Sequence, residues 1–225
     1  MAIAFVQEND KNAASVASTT LTLGTVTAGN FIYVAVTLSI ISTTCTVTDN
    51  LGNTYTQIDE HDSTSNSLWS FYAQNITGGA CTLTITPGAT ATIRCGAAEY
   101  SGVDQSSPID VHAANQGTSA TVSVSMTTSF PNPLLILNTR WSTVQTFSPN
   151  GGYTTLGFQP TAGALWAFAG NISSDLAGSE TATASLGASA TWDAQLVAIK
   201  PAQAQTPIAL VPNTRYRIYE YSYQC

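Results

Sequence analysis

Apolar and polar residues alternate with a period of two along most of this chain, which is the pattern of half-buried β-strands. β-Branched and aromatic residues fill the alternating segments, and clusters of glycine, proline, asparagine and aspartate separate them. The predicted strands are Ile3–Gln7, Val16–Leu23, Phe31–Ile41, Thr44–Thr48, Thr54–Ile58, Leu68–Asn75, Cys81–Thr86, Ala91–Tyr100, Ile109–Ala114, Thr121–Met126, Leu134–Trp141, Tyr153–Phe158, Ala164–Ile172, Thr181–Leu186 and Thr191–Lys200. Many short strands with frequent turns predict an all-β fold, an antiparallel β-sandwich or jelly roll.

An internal repeat is visible in the same pattern. The pair Leu68-Trp69, followed by Asn75-Ile-Thr77, is echoed by Leu165-Trp166, followed by Asn171-Ile-Ser173. Other short matches occur at similar offsets. The repeat predicts two halves that superpose, with Trp69 and Trp166 at matching sites.

The repeat also predicts the domain organisation. Residues 1–104 and 105–200 are two versions of one plan, either two small sandwiches or two halves of one intertwined jelly-roll domain over 1–200. The short connection Ser101–Pro108 favours close packing and leaves both alternatives open. Residues 201–225 follow as a polar, extended linker and a C-terminal tail.

The C-terminal tail, Ile208–Cys225, has no counterpart in either repeat. The chain has nine tyrosines, and four of them lie in its last ten residues. Tyrosine offers a large contact area at low conformational cost, so the tail is predicted to contact another chain, with a disordered terminus as the alternative. The residues expected to make this contact are Arg215, Tyr216, Arg217, Tyr219, Tyr221 and Tyr223.

Four strings of residues carry a resemblance to a known type of module. They are Val47-Thr-Asp-Asn-Leu-Gly-Asn-Thr-Tyr-Thr56, Leu68-Trp69 followed by Tyr72-Ala-Gln-Asn-Ile76, Ala98-Glu-Tyr-Ser-Gly-Val-Asp104, and the ending Trp192-Asp-Ala-Gln-Leu-Val-Ala-Ile-Lys-Pro201. These strings resemble the β-sandwich modules of bacterial cell-surface proteins and of bacteriophage structural proteins. The resemblance covers residues 3–201 and implies a structural or recognition role, as an analogy of fold.

The charge of the chain narrows the classes of partner. Only 8% of the residues are charged, and the net charge is -7. Six scattered cations do not form the basic stripe that a nucleic-acid or anionic membrane surface requires, so neither partner is expected. The first ten residues lack the pattern of a signal peptide, so either the chain acts where it is made or a leader has been removed.

The candidate catalytic and metal-binding groups are few. His61 and His112 are the only imidazole bases, and Glu99 is the only acid within a strongly apolar strand. No nucleophile motif accompanies them. The acidic segments 8–10 and 59–62 are interpreted as loops that offer oxygen ligands to calcium, but they lack an EF-hand spacing. We therefore expect no catalytic residue, no bound metal and no cofactor.

The tryptophans that match between the repeats have two interpretations. Trp69 and Trp166 are expected to be anchors in the core of the sandwich. If either ring is exposed beside Tyr72 or Phe168, it becomes a platform on which a glycan stacks.

A disulfide between Cys81 and Cys95 follows from strand parity. The connection Pro87–Thr90 is short, so the strands on either side are predicted to pair as an antiparallel hairpin. Aligning their apolar faces sets Cys81 opposite Cys95, close to the spacing that a disulfide needs. The alternative is two adjacent reduced thiols, with Cys45 as a third buried thiol and Cys225 free.

These features lead to three hypotheses for function. The first is a non-enzymatic structural protein on the exterior of a phage virion, a capsid decoration or a tail or collar component, attached to other subunits through its C-terminal tail as a homo-oligomer. The second is a secreted or cell-surface bacterial adhesive or carbohydrate-binding module. The third is a self-assembling filament or shell subunit.

Overall fold

The computed structural model describes residues 2–63, 65–161, 164–173 and 175–203. Within these ranges the chain is built of antiparallel strands, and no helix is long and apolar enough to cross a membrane. The strands are β1 (Ala4–Val16), β2 (Thr19–Val26), β3 (Phe31–Leu38), β4 (Cys45–Asp49), β5 (Thr56–Asp62), β6 (Ser67–Ala73), β7 (Gly79–Pro87), β8 (Ala91–Ser101), β9 (Ile109–Thr127), β10 (Leu134–Trp141), β11 (Phe147–Pro149), β12 (Thr154–Thr161), β13 (Ala164–Ile172) and β14 (Ser179–Ile199). The predicted all-β, sandwich-like class is confirmed.

The first half of the chain, residues 2–104, forms two sheets. The large sheet has the strand order β1-β8-β3-β6-β5, and the small sheet has the order β2-β7-β4. The chain passes repeatedly between the two sheets, because β7 belongs to the small sheet and β8 to the large one. Each sheet therefore covers one face of the other.

The second half, residues 105–203, has a corresponding strand order. Its large sheet runs β9-β14-β10-β13-β12, and β14 also pairs with the short strand β11. The strands β9 and β14 pair along nearly their whole length, and their register shifts between Ser185 and Ala190. Each of these two long strands corresponds to two separate strands of the first half. The matching order supports the repeat hypothesis, and the superposition of the halves stays a prediction.

Buried side chains form three core clusters. The first inner core lies between the large and small sheets of the first half, and the second inner core occupies the same place in the second half. A third cluster, the central core, joins the two large sheets face to face. The three sheets are thus layered as the small sheet of the first half, its large sheet, and the sheet of the second half, whose own strands enclose the second inner core.

The central core explains why β3 is an unbroken apolar run. Phe31, Tyr33 and Ala35 point into the central core, whereas Ile32 and Val34 point into the first inner core. All eight residues of β3 are buried. A strand covered on both faces has no need of the polar positions that mark a half-buried strand.

Two glycines leave space for an aromatic ring in the central core. A Cβ atom at Gly96 would overlap Phe168 and lie 2.7 Å from the Trp166 ring, and one at Gly157 would lie 2.6 Å from Phe168. Gly96 lies on β8 of the first half, whereas Phe168 lies on β13 of the second. Because real Cβ atoms do not approach this closely, the two glycines create the space that the Phe168 ring fills.

The string that begins at Val47 closes a turn after β4. The Asp49 carboxylate accepts hydrogen bonds from the amides of Leu51 and Asn53, from the Asn53 side chain and from the Tyr55 hydroxyl at 2.8–3.0 Å. Gly52 has a φ of 76°, which glycine adopts without strain. The string is thereby explained as a local turn around one carboxylate.

The prediction that Trp69 and Trp166 occupy matching sites is wrong. Trp69 packs in the first inner core, but Trp166 packs in the central core. If Phe31 and Leu134, which begin β3 and β10, are equivalent, the strand registers align Trp69 with Ala167. A shift of one residue moves a side chain to the other face of a sheet, and the match of letters missed that shift.

The predicted hairpin between β7 and β8 is also wrong. β7 pairs with β2 and β4, whereas β8 pairs with β1 and β3. The short connection 88–90 crosses from one sheet to the other and does not turn back within one sheet. Cys81 and Cys95 still face the same inner core, but from opposite sheets.

Several predicted boundaries differ from the structure. The pair of strands predicted within 109–126 is one strand, β9, and the pair within 181–200 is one strand, β14. The short strand β11 was not predicted. The acidic segments 8–10 and 59–62, interpreted as loops, lie within β1 and β5. The strands β9 and β14 stay paired where the sequence predicts a break, because β14 carries a bulge between Ser185 and Ala190.

Replacing Gly96 is expected to destabilise the central core. Gly96→Ala should lower the free energy of unfolding by about 1–3 kcal/mol, because the new Cβ overlaps the Phe168 ring. The control Gly178→Ala adds a Cβ that meets nothing within 4 Å, and it should change stability by less than about 0.5 kcal/mol. Urea unfolding measures both variants, and equal losses would contradict the close contact.

The Asp49 turn predicts a pH dependence of stability. Partial burial raises the pKa of Asp49, but the hydrogen bonds from Asn53, Tyr55 and Leu51 outweigh it and hold the pKa below its ordinary value. The turn is therefore fully stabilised above the ordinary pKa of aspartate and loses that contribution as the pH falls through the lowered pKa. Asp49→Asn should flatten the fall in unfolding free energy between neutral pH and about pH 3.

The matched variant for Asp49→Asn is Glu60→Gln. Burial and the neighbouring carboxylates Asp62 and Asp59 raise the pKa of Glu60, so its ionised form opposes folding at neutral pH. Glu60→Gln should leave stability at neutral pH unchanged or higher. The same acid dependence in Asp49→Asn and in the wild type would show that the turn does not contribute.

Candidate functional site

A chain of hydrogen bonds crosses the central core between the two halves. The Trp166 indole N–H donates to Asn138 Oδ1 at 2.7 Å, and Asn138 Nδ2 donates to Gln195 Oε1 at 3.2 Å. Gln195 Nε2 then donates to Asp59 Oδ2 at 3.2 Å and to the carbonyl of Leu68 at 3.1 Å. The side chains of Asn138 and Gln195 are fully buried, so these bonds replace the water that both amides lose.

The outer end of this chain reaches the surface. Asp59 Oδ2 lies 3.6 Å from His112 Nδ1, and the His112 side chain is 42% exposed. His112 thus lies partly in solvent on β9 and faces Asp59 of the first half. These hydrogen bonds therefore link β13, β10 and β14 of the second half to β5 and β6 of the first. Their role is to specify how the halves dock, because a buried amide with a missing partner is costly.

Glu99 is a buried carboxylate with a complete set of donors. It accepts hydrogen bonds from Gln7 Nε2 at 2.6 Å, from Asn30 Nδ2 at 2.6 Å and from the Thr27 amide at 2.8 Å. These bonds tie β1 and the connection between β2 and β3 to β8. Glu99 has no second carboxylate among these partners, so its geometry is that of a structural anchor.

A polar cavity of about 460 Å³ opens at one end of the central core. Arg140 Nη1 donates to Asp193 Oδ2 at 2.7 Å on its wall, and Asp193 is almost fully buried. The hydroxyl, amide and glycine groups that complete the lining belong to Ser63, Ser65, Gln116, Gly117, Thr118, Ser142 and Thr191. The volume and the mixed donors and acceptors suit a small polar ligand.

Arg94 adds a second buried cation near Arg140. It is 6% exposed, and its Nε has no hydrogen-bond partner within the described residues. Burial first, and then the charge of Arg140, lower the pKa of Arg94 to about 10. Arg94 therefore remains charged at neutral pH.

An apolar groove, here called the end groove, opens at the opposite end of the central core. Its volume is about 330 Å³. Its lining is mainly apolar and comes from both halves, through Phe5, Tyr100, Leu134, Gly152, Thr154, Leu156, Gly170, Asn171 and Ile172. Phe5 is 46% exposed and Ile172 is 44% exposed, so two large apolar side chains face solvent there.

Both predicted glycan-stacking residues lie in the core. Trp69 is 1% exposed and Trp166 is 0% exposed. An indole face that is covered by protein offers no platform to a sugar. The core-anchor interpretation describes both rings, and Trp166 also serves as the donor to Asn138.

The predicted disulfide is absent from the described residues, where Cys45, Cys81 and Cys95 are free thiols. Burial, followed by the charge of Asp49, raises the pKa of Cys81 to about 11. Burial likewise raises the pKa of Cys95 to about 12. Both therefore remain protonated at neutral pH and pack as small apolar groups.

The tail residues predicted to contact a partner lie outside the described residues. These are Arg215, Tyr216, Arg217, Tyr219, Tyr221 and Tyr223, together with Cys225. Over the part of the chain that the structure describes, no group of three or more His, Cys, Asp or Glu side chains could hold a metal ion.

Sequence reasoning missed the residues that join the two halves. Asn138 adjoins the apolar run Leu134–Leu137 and Gln195 adjoins the apolar run Leu196–Ile199, and that position was the available signal. The end groove had no such signal, because its lining comes from five separated segments of the chain.

Comparisons with known proteins add no assignment to this geometry. The chain matches no family model, and no curated protein or solved structure shows significant similarity to it.

Truncating Asn138 is expected to weaken the docking of the two halves. Asn138→Ala removes the partners of the Trp166 N–H and of Gln195 Oε1, and should lower the free energy of unfolding by about 1–3 kcal/mol. Asn115→Ala removes two exposed hydrogen bonds, one to the Ser123 carbonyl and one from the Gln116 amide, and should cost less than about 0.5 kcal/mol. Thermal and urea unfolding measure the stability of both variants. If Asn138→Ala loses no more stability than Asn115→Ala, the buried hydrogen bonds do not stabilise the docking of the halves.

Proposed function

We propose that this chain is a non-enzymatic structural protein of a phage virion, a decoration, tail or collar component that attaches to other subunits through its C-terminal tail. The observation that carries the proposal is the junction between the body and the tail. Pro201 forms a bridge with Val103, and the Ala202 amide donates to the Gly102 carbonyl at 2.7 Å. The body therefore fixes the chain at residues 201 and 202, shortly before the segment that contains the four tyrosines.

The body itself suits a structural role. Its two halves share a central core and are joined by buried hydrogen bonds, so that a pull on the tail acts on one interlocked unit. The resemblance of the turn around Asp49 and of the ending Trp192–Pro201 to phage and cell-surface modules supports the same role by analogy of fold. We propose the exterior of the virion as the location.

Deleting residues 203–225 should separate folding from attachment. The truncated chain keeps β14 and the contact between Ala202 and Gly102, so its melting temperature should remain that of the full chain. Its co-sedimentation with particles of the phage that encodes it should be lost. A full chain in which Asn213 and Gln224 become serine is the matched control and should still co-sediment. Undiminished binding by the truncation would refute attachment through the tail.

A second candidate function, a carbohydrate-binding or adhesive module, is favoured by the polar cavity. Paired donors and acceptors, such as Arg140 and Asp193, are the groups that bind vicinal hydroxyls of a sugar. In this proposal the cavity takes the role that an exposed Trp69 or Trp166 would have had.

Glycan-array binding tests the second candidate. Gln116→Ala and Thr118→Ala change the cavity lining without breaking the pair of Arg140 and Asp193, and should abolish any glycan signal. Asn115→Ala, next to the cavity lining, is the control. A chain that binds no glycan, or whose binding survives both cavity variants, excludes this function for the cavity.

A further inference from the structure

The end groove is the part of the surface where exposed apolar side chains gather. Among the described residues, six large apolar residues are exposed by more than 40%, namely Phe5, Val6, Ile41, Val144, Ile172 and Leu176. Two of them, Phe5 and Ile172, meet in the lining of the end groove, beside the apolar side chains of Leu134 and Leu156. Apolar groups gathered around a concave site are typical of a surface that binds another protein segment.

The C-terminal tail leaves the body next to this groove. Ala202 is bonded to Gly102, and Gly102 lies two residues beyond Tyr100, which lines the groove. Two residues of a strand span about 7 Å. A further 22 residues, 204–225, follow the described chain, and they can extend over at most about 80 Å.

The composition of the tail complements the groove and the body. Residues 208–225 contain Ile208, Leu210 and Val211 followed by the four tyrosines, which suit an apolar groove with a hydroxyl-rich margin. Two of the six cations of the chain, Arg215 and Arg217, lie in the tail, but only one of its thirteen acidic residues does. The body is therefore more acidic than the whole chain, and the tail carries the opposite sign of net charge.

An acidic group stands beside the groove. Glu8 pairs with Ala98 of β8, two residues before Tyr100, and Phe5 pairs with Tyr100 itself. Glu8 is exposed on β1, near the strand's start at the groove, and offers a partner to an arginine of a bound segment.

We propose that the end groove of one copy binds residues 208–225 of a second copy, so that the protein assembles by exchange of tails. The second copy is chosen because Pro201 and Pro207 bracket a polar spacer whose composition predicts an extended segment. If it is extended, this spacer lets Ile208 lie up to about 20 Å from Ala202, which is far enough to reach the groove of a second copy that docks at this end. This inference rests on the proposed attachment through the tail and names the partner that the tail binds first.

The test is the mass of the purified full chain in solution, measured by light scattering over a range of concentrations. The full chain should form a dimer or larger oligomer, and deletion of 203–225 should leave a monomer. Phe5→Ser and Ile172→Ser should each weaken assembly about tenfold or more, equivalent to about 1.4 kcal/mol. Ile41→Ser and Val144→Ser remove equally exposed apolar side chains elsewhere and should leave assembly unchanged.

The outcomes separate this inference from the proposed function. A full chain that is monomeric at every concentration overturns the exchange of tails, including the case in which the tail binds its own groove. An oligomer that the groove variants leave intact also overturns it. If the tail is needed for co-sedimentation with phage particles but the chain is monomeric, the proposed function stands without the groove. If the groove variants dissociate an oligomer that binds no particle, the inference stands and the virion role fails.

Discussion

The packing of one large sheet directly on the other is the contact on which the remaining structure depends. It requires room for the Phe168 ring, which Gly96 of the opposite sheet and Gly157 of the neighbouring strand leave free. It also encloses amide and indole groups between the sheets. Asn138 and Gln195 satisfy each other, the Trp166 indole and the backbone of β6. Shape and hydrogen bonding therefore select the same arrangement of the two halves.

The composition of the chain follows from this layering. Two inner cores and a central core leave the central strands of both large sheets without a solvent face, as the buried run of β3 shows. Charged residues have few places in such strands. Glu99 has three donors and Asp193 has Arg140, whereas Arg94 Nε has no hydrogen-bond partner among the described residues. The low charge content is thus a property of the layered packing as much as of the surface.

The alternation of residues was enough to predict the all-β class and most strands, because period two is a local property of a strand with one buried face. Register and sheet membership were not local. The connection after Pro87 has the length of a hairpin turn, yet it crosses between sheets. The predicted pairing of Cys81 with Cys95 was wrong for this reason. Trp69 and Trp166 match by letters, but a difference of one residue in register places them on opposite faces. The end groove and the polar cavity were beyond prediction, because distant segments meet there only after the halves dock.

The two ends of strand β10 lie at the two concave sites of the body. Leu134, at its start, lines the end groove, and Arg140, near its end, lines the polar cavity about 20 Å away. Ala2 and Ala202 both contact Gly102, so the first and last described segments meet at the groove end. A contact made at the groove end would therefore leave the polar cavity free at the far end of the body.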